Sequence, residues 1–402
     1  MQKFNINRYN KAMLALGGEK LVLKKIDYPK PKIEDGYLVD DNGDKIGTKG
    51  DMYTKKIMDD ILQRGCLDHN PRPEYIDFYE KATYNEELNY IELADNTKKE
   101  IYPAQTITIK ENGVEVRTPA HTLSINTGVE CSYDLSKGES PMITLRPIAT
   151  KASCAEILWI YQIQSNDLVD FDELLGKNTW DIDHIIHNWW EQWAIRNEDG
   201  TYKLNEKGHP YIGKCYGGTT GPRDMIRKEV IKVIKGNKEN KTRPNPDSRR
   251  LVTCLWQIDD FNEEHGLKPC AFLTIWNVRH DWDGKDYLDM TMVQRSSDFA
   301  TAGCINQVQY AELLLMIARE CDLEPGVFTW KPINVQLYDR HIDQAIEMLE
   351  REPISDIDAT IKLNEEVTSF DEMKPSDLKV LDKEAIQKVK TKNPQLSFPL
   401  GI

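Results

Sequence analysis

The stretch MTMVQRSSDFATAGCINQVQYAELLLMIARECDL (290–323) decides the fold class. It opens on an alternating strand, MTMVQ, which ends in Arg295, Ser296 and Asp298. It then becomes the long apolar helix QVQYAELLLMIARECDL (307–323). A period of two followed at once by a period of 3.6 is the mark of a strand that feeds a helix covering its own sheet. Outward from there, RRLVTCLWQI (249–258) and PCAFLTIWNV (269–278) read as strands, and HIDQAIEMLERE (341–352) reads as a surface helix. Further upstream, ATKASCAEILWIYQIQ (149–164) is apolar on most faces and predicts a buried helix. IIHNWWEQWAI (185–195) predicts a helix carrying three Trp, and PRDMIRKEVIKVIKGN (222–237) an amphipathic one. Strands alternating with long helices predict an α/β (α+β) fold.

The first fifty residues differ in texture. YLVDDNGDKIG (37–47) is a hairpin around Asn-Gly, followed by a helix over 52–66. Residues 74–116 look like a β-rich insertion containing most of a second hairpin, TITIKENGVEVR (106–117). The expected organisation is an extension over 1–50 and a catalytic domain over 51–402 that contains the insertion. The polar tail ends in an apolar strand, LSFPLGI.

Lys and Arg number 52 against 66 Asp and Glu, a formal charge of −14. Such a chain does not bind duplex nucleic acid through a broad basic face, although a few placed Arg still suit a small phosphate. No apolar run approaches the ~18 residues that span a bilayer, and the first residues carry no leader-like apolar core. The eight Cys are scattered, without a Cys-x-x-Cys pair, so a reduced cytoplasmic protein is expected and no disulfide framework. HIIH (184–187) offers two His a turn apart without a convincing third ligand, so no metal is expected. YGGTTG (216–221) lacks the Lys-Ser/Thr of a phosphate loop and reads as a loop needing positive φ. Arg249 and Arg250, on a strand, would point to opposite faces. Arg295 beside a hydroxyl suits a phosphate. Cys270, after a Pro at a strand start, is a small core residue unless a neighbouring Arg lowers its thiol pKa.

In order, these pieces resemble the thymidylate synthase family, in the branch found in Gram-positive bacteria and their phages. TPAHTLSI (118–125), AEILWIYQIQSND (155–167), WWEQWA (189–194), GKCYGG (213–218), PDSRR (246–250), LKPC (267–270), QRSSDFATAGCIN (294–306), VQLYDRHIDQ (335–344) and LSFPLGI (396–402) follow the family's succession. The likeness covers roughly residues 52–73 and 117–402.

The resemblance implies a large twisted mixed sheet flanked by helices, with two such sheets back to back in a homodimer. It implies dUMP as substrate, 5,10-methylenetetrahydrofolate as co-substrate, no metal, and no need of nucleic acid or membrane. It makes Cys270 the nucleophile, favoured as thiolate chiefly by Arg295. Glu156 becomes the carboxylate that organises water and protons, and Tyr216 the hydroxyl beside the nucleophile. Arg295 and Ser296 become phosphate ligands, while Arg249 and Arg250 reach the partner's site. Arg72 or Arg117 supplies a further phosphate contact. Asn306 reads the pyrimidine, and Gln336 and Tyr338 hold the sugar. Trp190, Asp298, Ala302 and the terminal Ile402 face the folate. Departures from the family pattern are Ala271 after the nucleophile, Gln336, Ala302, Ile305 and Trp189, and they gather mainly on the folate side. They leave room for a second outcome, hydroxymethylation of dUMP, in which water captures the one-carbon unit. A catalytically silent nucleotide or RNA binder is a third, weighed down by the joint retention of Cys270, Glu156, Arg295 and Asn306.

Overall fold

In the computed structural model, residues 28–398 are described, apart from 68–81, 86–89, 94–97, 101–105, 112–113, 120–121, 178–179, 181–184, 198, 237–240, 263–266 and 339–340; over 66–119 the strand course alone is described. Its centre is a seven-stranded mixed sheet built from β1 (Cys66–Leu67), β2 (Thr122–Ile125), β3 (Cys131–Asp134), β4 (Val252–Cys254), β5 (Ala271–His280), β6 (Asp286–Asp298) and β7 (Glu324–Tyr338). The spatial order is β4-β5-β6-β7-β2-β1, with β3 also paired to β7. All pairings are antiparallel except β6 with β7. A parallel pair needs a covered crossover. The stretch that opens the sequence argument supplies it: β6 runs into a wide turn (Phe299–Gly303) and a helix over Cys304–Glu320 before β7 begins.

Helices α1 (Lys49–Arg64), α2 (Thr150–Leu158), α3 (Leu168–Leu174), α4 (Cys304–Glu320), α5 (Ile342–Glu350) and α6 (Lys383–Lys392) pack around this sheet. α4 is buried on nearly every face, from Cys304 to Ala318, and the apolar run AELLLMIA (311–318) in its second half is interrupted only by Glu312. α1 starts at a capping box: Thr48 accepts from the Asp51 N–H, and Asp51 accepts from the Thr48 N–H. The Asp51 carboxylate is fully buried and also takes the N–H and hydroxyl of Thr144, so one acidic residue joins the helix start to the 140s segment. A cap of this kind contributes about 1 kcal/mol.

The hairpin expected at 37–47 is present, with Leu38 opposite Ile46. Tyr37 and Lys49 both bond Glu139, which ties the extension to the main body. The strands Thr106–Glu111 and Val114–Pro119 pair as the second hairpin. Three expectations are corrected. Residues 185–195 do not form a regular helix: Asn188 accepts from the Trp190 N–H and starts a short 3-10 segment, Trp189–Trp193. Arg249 and Arg250 lie in a turn before β4 rather than on a strand, so the opposite-face objection does not apply to them. The tail holds a helix, α6, N-capped by Asp382, and residues 394–398 are not a strand. Asn393, just after α6, donates to the carbonyls of Thr144 and Glu352 and fastens the tail to the body. No helix among the described residues is long and apolar enough to cross a membrane.

Candidate active site

The start of β5 and the end of β6 lie side by side, because Ala271 pairs with Gln294 and the Arg295 N–H donates to the Cys270 carbonyl at 2.9 Å. The register shifts between Ala271 and Leu273, a bulge directly after Cys270. Cys270 is half-buried. The Arg295 guanidinium clamps the segment ahead of it, with Nε donating to the Pro269 carbonyl at 3.0 Å and Nη2 to that of Lys268 at 2.7 Å. A planar fork spread over two successive carbonyls is a fixed object, so the cation is held against the segment that leads into Cys270.

The Cys270 N–H donates to Tyr216 Oη at 2.9 Å, which leaves the phenol proton free to point elsewhere. Tyr216 sits at φ 47° and ψ −111°, an unusual conformation for a bulky residue. YGGTTG was expected to need positive φ, and it does, but at the tyrosine and not at its glycines. Gly217 is required by close approach: a Cβ there would stand 1.8 Å from the Ser165 carbonyl oxygen. Burial, then the neighbouring Cys270, pushes the Tyr216 phenol well above its ordinary value, so it stays protonated at neutral pH.

The Tyr216 ring meets Trp190 edge-on at 5.3 Å. Trp190 and Trp189 both donate their indole N–H groups to one oxygen, Glu156 Oε2, at 2.9 Å each. Glu156 projects from α2, and burial pushes its carboxyl up. Trp190 is 2% exposed and Trp189 46% exposed, so one indole is core and the other is a free wall. The convergence of two indoles on one carboxylate oxygen could not be read from the chain, since the partners lie more than thirty positions apart and the expected helix would have turned adjacent Trp to different sides.

Asn306 stands on the first turn of α4. Its Oδ1 accepts from Gln294 Nε2 at 3.1 Å and its Nδ2 donates to Gln309 Oε1 at 3.0 Å. Gln294 and Gln309 are both buried and were missed in the sequence; for Gln309 alone a local signal exists, its spacing i, i+3 from Asn306 on one helix. Asp298 closes β6. Thr301 donates its hydroxyl to Asp298 Oδ2, while Oδ1 is buried without a hydrogen-bond partner, and burial raises the carboxyl to about 7. Ser296 lies opposite Asn334, Gln336 opposite both Asp298 and Ser124, and Tyr338 opposite Thr122, all on adjoining strands. Ala302 and Ile305 are half-buried in and just after the wide turn.

Not every expected residue joins this group. Arg249 and Arg250 are exposed and make no side-chain hydrogen bond or ion pair with the described residues; the neighbouring Asp247 is held by His280 Nε2 at 2.8 Å. Arg72, His184 and Ile402 lie outside the described residues, and the side chain of Arg117 does too. One group of His and carboxylate side chains among the described residues converges closely enough to hold a metal ion, Asp167 with Asp170 and His209. Its oxygens already cap α3 and take His209, Asn205 and the Lys207 ammonium, so it is an ion-pair cluster.

A sequence profile described as thymidylate synthase matches residues 100–393. A thymidylate synthase of Lactococcus lactis subsp. lactis is 37% identical over 277 residues, which cover 69% of this chain and 86% of that protein. One from Streptococcus sanguinis is 38% identical over the same shares. Among solved structures, the thermostable thymidylate synthase A of Bacillus subtilis superposes with a TM-score of 0.60 at 24% identity, covering 88% of this chain and 99% of that one, which speaks to the fold alone.

Proposed function

Because this chain belongs to the thymidylate synthase family of methyltransferases, we propose that it converts dUMP to dTMP through a covalent bond between Cys270 and carbon 6 of the uracil. Carbon 5 of uracil is a poor nucleophile. Addition of the Cys270 thiolate to carbon 6 moves the ring electron pair onto the carbonyl at position 4 and makes carbon 5 reactive. After carbon 5 is alkylated, loss of its proton releases the folate nitrogen from the newly attached one-carbon unit, and hydride addition to that unit expels the sulfur as thiolate and restores the ring double bond. 5,10-Methylenetetrahydrofolate, when bound, supplies both the one-carbon unit and the hydride. Its fit rests on Asp298, whose buried Oδ1 accepts no hydrogen bond, with His341 Nδ1 3.8 Å away, and suits a ring N–H, and on the aromatic wall.

The chain's own groups divide the work. Arg295 and Ser296 hold the phosphate, helped by Arg72 or Arg117 and by Arg249 and Arg250 from a second copy of the chain in a homodimer. Asn306 reads the base edge, and Gln336 with Tyr338 holds the sugar. Tyr216 serves the carbon 5 proton, with Glu156 organising protons and water near the ring. Trp190 shields the reacting carbon from water, and Ala302 and Ile402 complete the folate surface. This reading assigns catalysis to 51–402 and places the enzyme in the cytoplasm (a host's, if phage-encoded).

The observation that carries it is the unbroken line from Cys270 through Tyr216 and Trp190 to Glu156. The test is mass analysis of the product from dUMP and the folate, with Cys270→Ala beside it. Gain of a methyl group and dihydrofolate, both abolished in Cys270→Ala, is expected. A hydroxymethyl group with tetrahydrofolate would select the hydroxymethylase, and undiminished turnover by Cys270→Ala would end both readings.

A further inference from the structure

The buried amides beside the site form a chain of hydrogen bonds with one sense. Trp330 Nε1 donates to Gln294 Oε1 at 2.9 Å. An indole N–H can only donate, so the Gln294 oxygen must face it and Nε2 must face away. There Nε2 donates to the Ser296 carbonyl at 3.0 Å and to Asn306 Oδ1 at 3.1 Å. With Oδ1 so engaged, Asn306 Nδ2 turns to Gln309 and donates to its Oε1 at 3.0 Å. The last group, Gln309 Nε2, is buried and without a hydrogen-bond partner. A donor-only group, the Trp330 indole, thus fixes the sense of the chain from its first member.

This polarity bears on the choice of base. Uracil offers an N–H at position 3 and a carbonyl at position 4; cytosine offers a bare nitrogen and an amino group. The pinned Asn306 amide keeps one oxygen lone pair and one N–H unspent, which match uracil. To match cytosine the amide must turn over. Its NH2 would then face Gln294 Nε2, and its oxygen would face Gln309 Oε1. Both contacts become repulsive, and the buried Gln294 and Gln309 amides have no water to turn to.

We propose that Gln309 is a positioning residue that holds the Asn306 amide in the uracil-reading sense and thereby sets the preference for dUMP over dCMP. The proposal rests on the reading that Asn306 contacts the base. Gln309 itself touches no substrate atom; it acts through Asn306, from one helical turn away.

The test uses the full-length enzyme and two variants. Gln309→Met keeps the volume and removes the amide; Gln309→Glu keeps an acceptor for Asn306 Nδ2. The readouts are kcat/KM for dUMP and the inhibition constant of dCMP as competitor. Gln309→Met should lower the dUMP-to-dCMP preference about tenfold, the order of one buried hydrogen bond lost. Gln309→Glu should hold that preference within about threefold of wild type, whatever happens to turnover, because the acceptor remains. A filling role alone would shift melting temperature in both and leave the preference unmoved, which would overturn the proposal. Equal loss of preference in Met and Glu would also overturn it. If Gln309→Met does not fold, retained preference in Gln309→Glu is set against Gln309→Leu, and the same two outcomes decide. A wild-type enzyme that neither binds dUMP nor bonds it through Cys270 would instead defeat the underlying reading, independently of Gln309.

Discussion

On one side of the site, three side-chain amides hand hydrogen bonds in a single direction from Trp330 to Gln309. On the other side, Trp189, Trp190 and Trp193 pack against one another with ring centroids 4.6–5.3 Å apart, and two of them share a single carboxylate oxygen. The amide side depends on the sense of each bond, so an atom exchange with no change of volume is enough to spoil it. The indole wall depends mainly on area and shape, apart from the two N–H groups that meet Glu156. The difference teaches how each side would respond to change. A wall of contacts can be rebuilt piecemeal; a directed chain of bonds cannot.

The contrast can be broken most directly at the nucleophile. Cys270→Ala should lower turnover of dUMP by about 10^5-fold or more, measured by the spectral change of the folate. No single wall substitution should approach that; Trp190→Phe should cost roughly tenfold, and a loss equal to that of Cys270→Ala would erase the distinction. Glu156 stands where the two sides meet. Glu156→Gln keeps the size and still accepts the indole N–H groups but cannot exchange a proton, so single-turnover rates should fall about 10^2–10^3-fold with little change in dUMP binding. The wall itself divides by depth. Trp190→Ala should destabilise the fold by about 3–5 kcal/mol in denaturant melts, whereas Trp189→Ala, at the exposed edge, should cost under about 1 kcal/mol. Equal penalties would show that burial does not set the wall's contribution.

A pH effect lies on the helix that carries Asn306 and Gln309. Glu312 is buried, with only Ser153 Oγ donating to it at 3.1 Å, and burial raises its carboxyl from 4.5 to about 8. Between those values the folded chain holds a proton that the unfolded chain has lost, so this residue's contribution to stability falls as pH rises through the window. Glu312→Gln should therefore melt with less pH dependence than wild type. Calorimetry at pH 5 and pH 8 should show the wild type losing on the order of 2–4 °C more than the variant. An identical loss in both would exclude Glu312 as the source.

Much of the nucleotide side was legible in the chain because it is local. Cys270, Arg295, Ser296, Asp298 and Asn306 fall on one strand pair and the first turn of the following helix, where the pattern of alternation followed by helical period announces itself. Glu156 was legible only through the resemblance of AEILWIYQIQSND (155–167) to the family. The Trp wall was read with the wrong backbone. Trp-rich sequence looks helical by composition, but Asn188 spends its side chain on the Trp190 N–H and Ala194 leaves the helical region, which limits the segment to a 3-10 turn. The amide chain was not legible because its members pair across β6, β7 and α4, and strand register is a tertiary property. α6 was hidden by its charge: KEAIQKVKTK buries only Ala385 and Val389, too narrow a stripe to stand out in a polar tail.

The close approach at Gly217 carries a consequence of another kind. Most enzymes are disarmed by taking something away; here the addition of a single carbon at a position that meets no ligand would suffice. A methyl group on that residue has nowhere to go but into the peptide of Ser165, and the recoil would travel one residue back, into the phenol that braces the sulfur's own peptide. The spacing between two stretches of main chain, some fifty positions apart along the polypeptide, is thus the mould in which the reactive corner is cast, and its tolerance is smaller than the width of an atom.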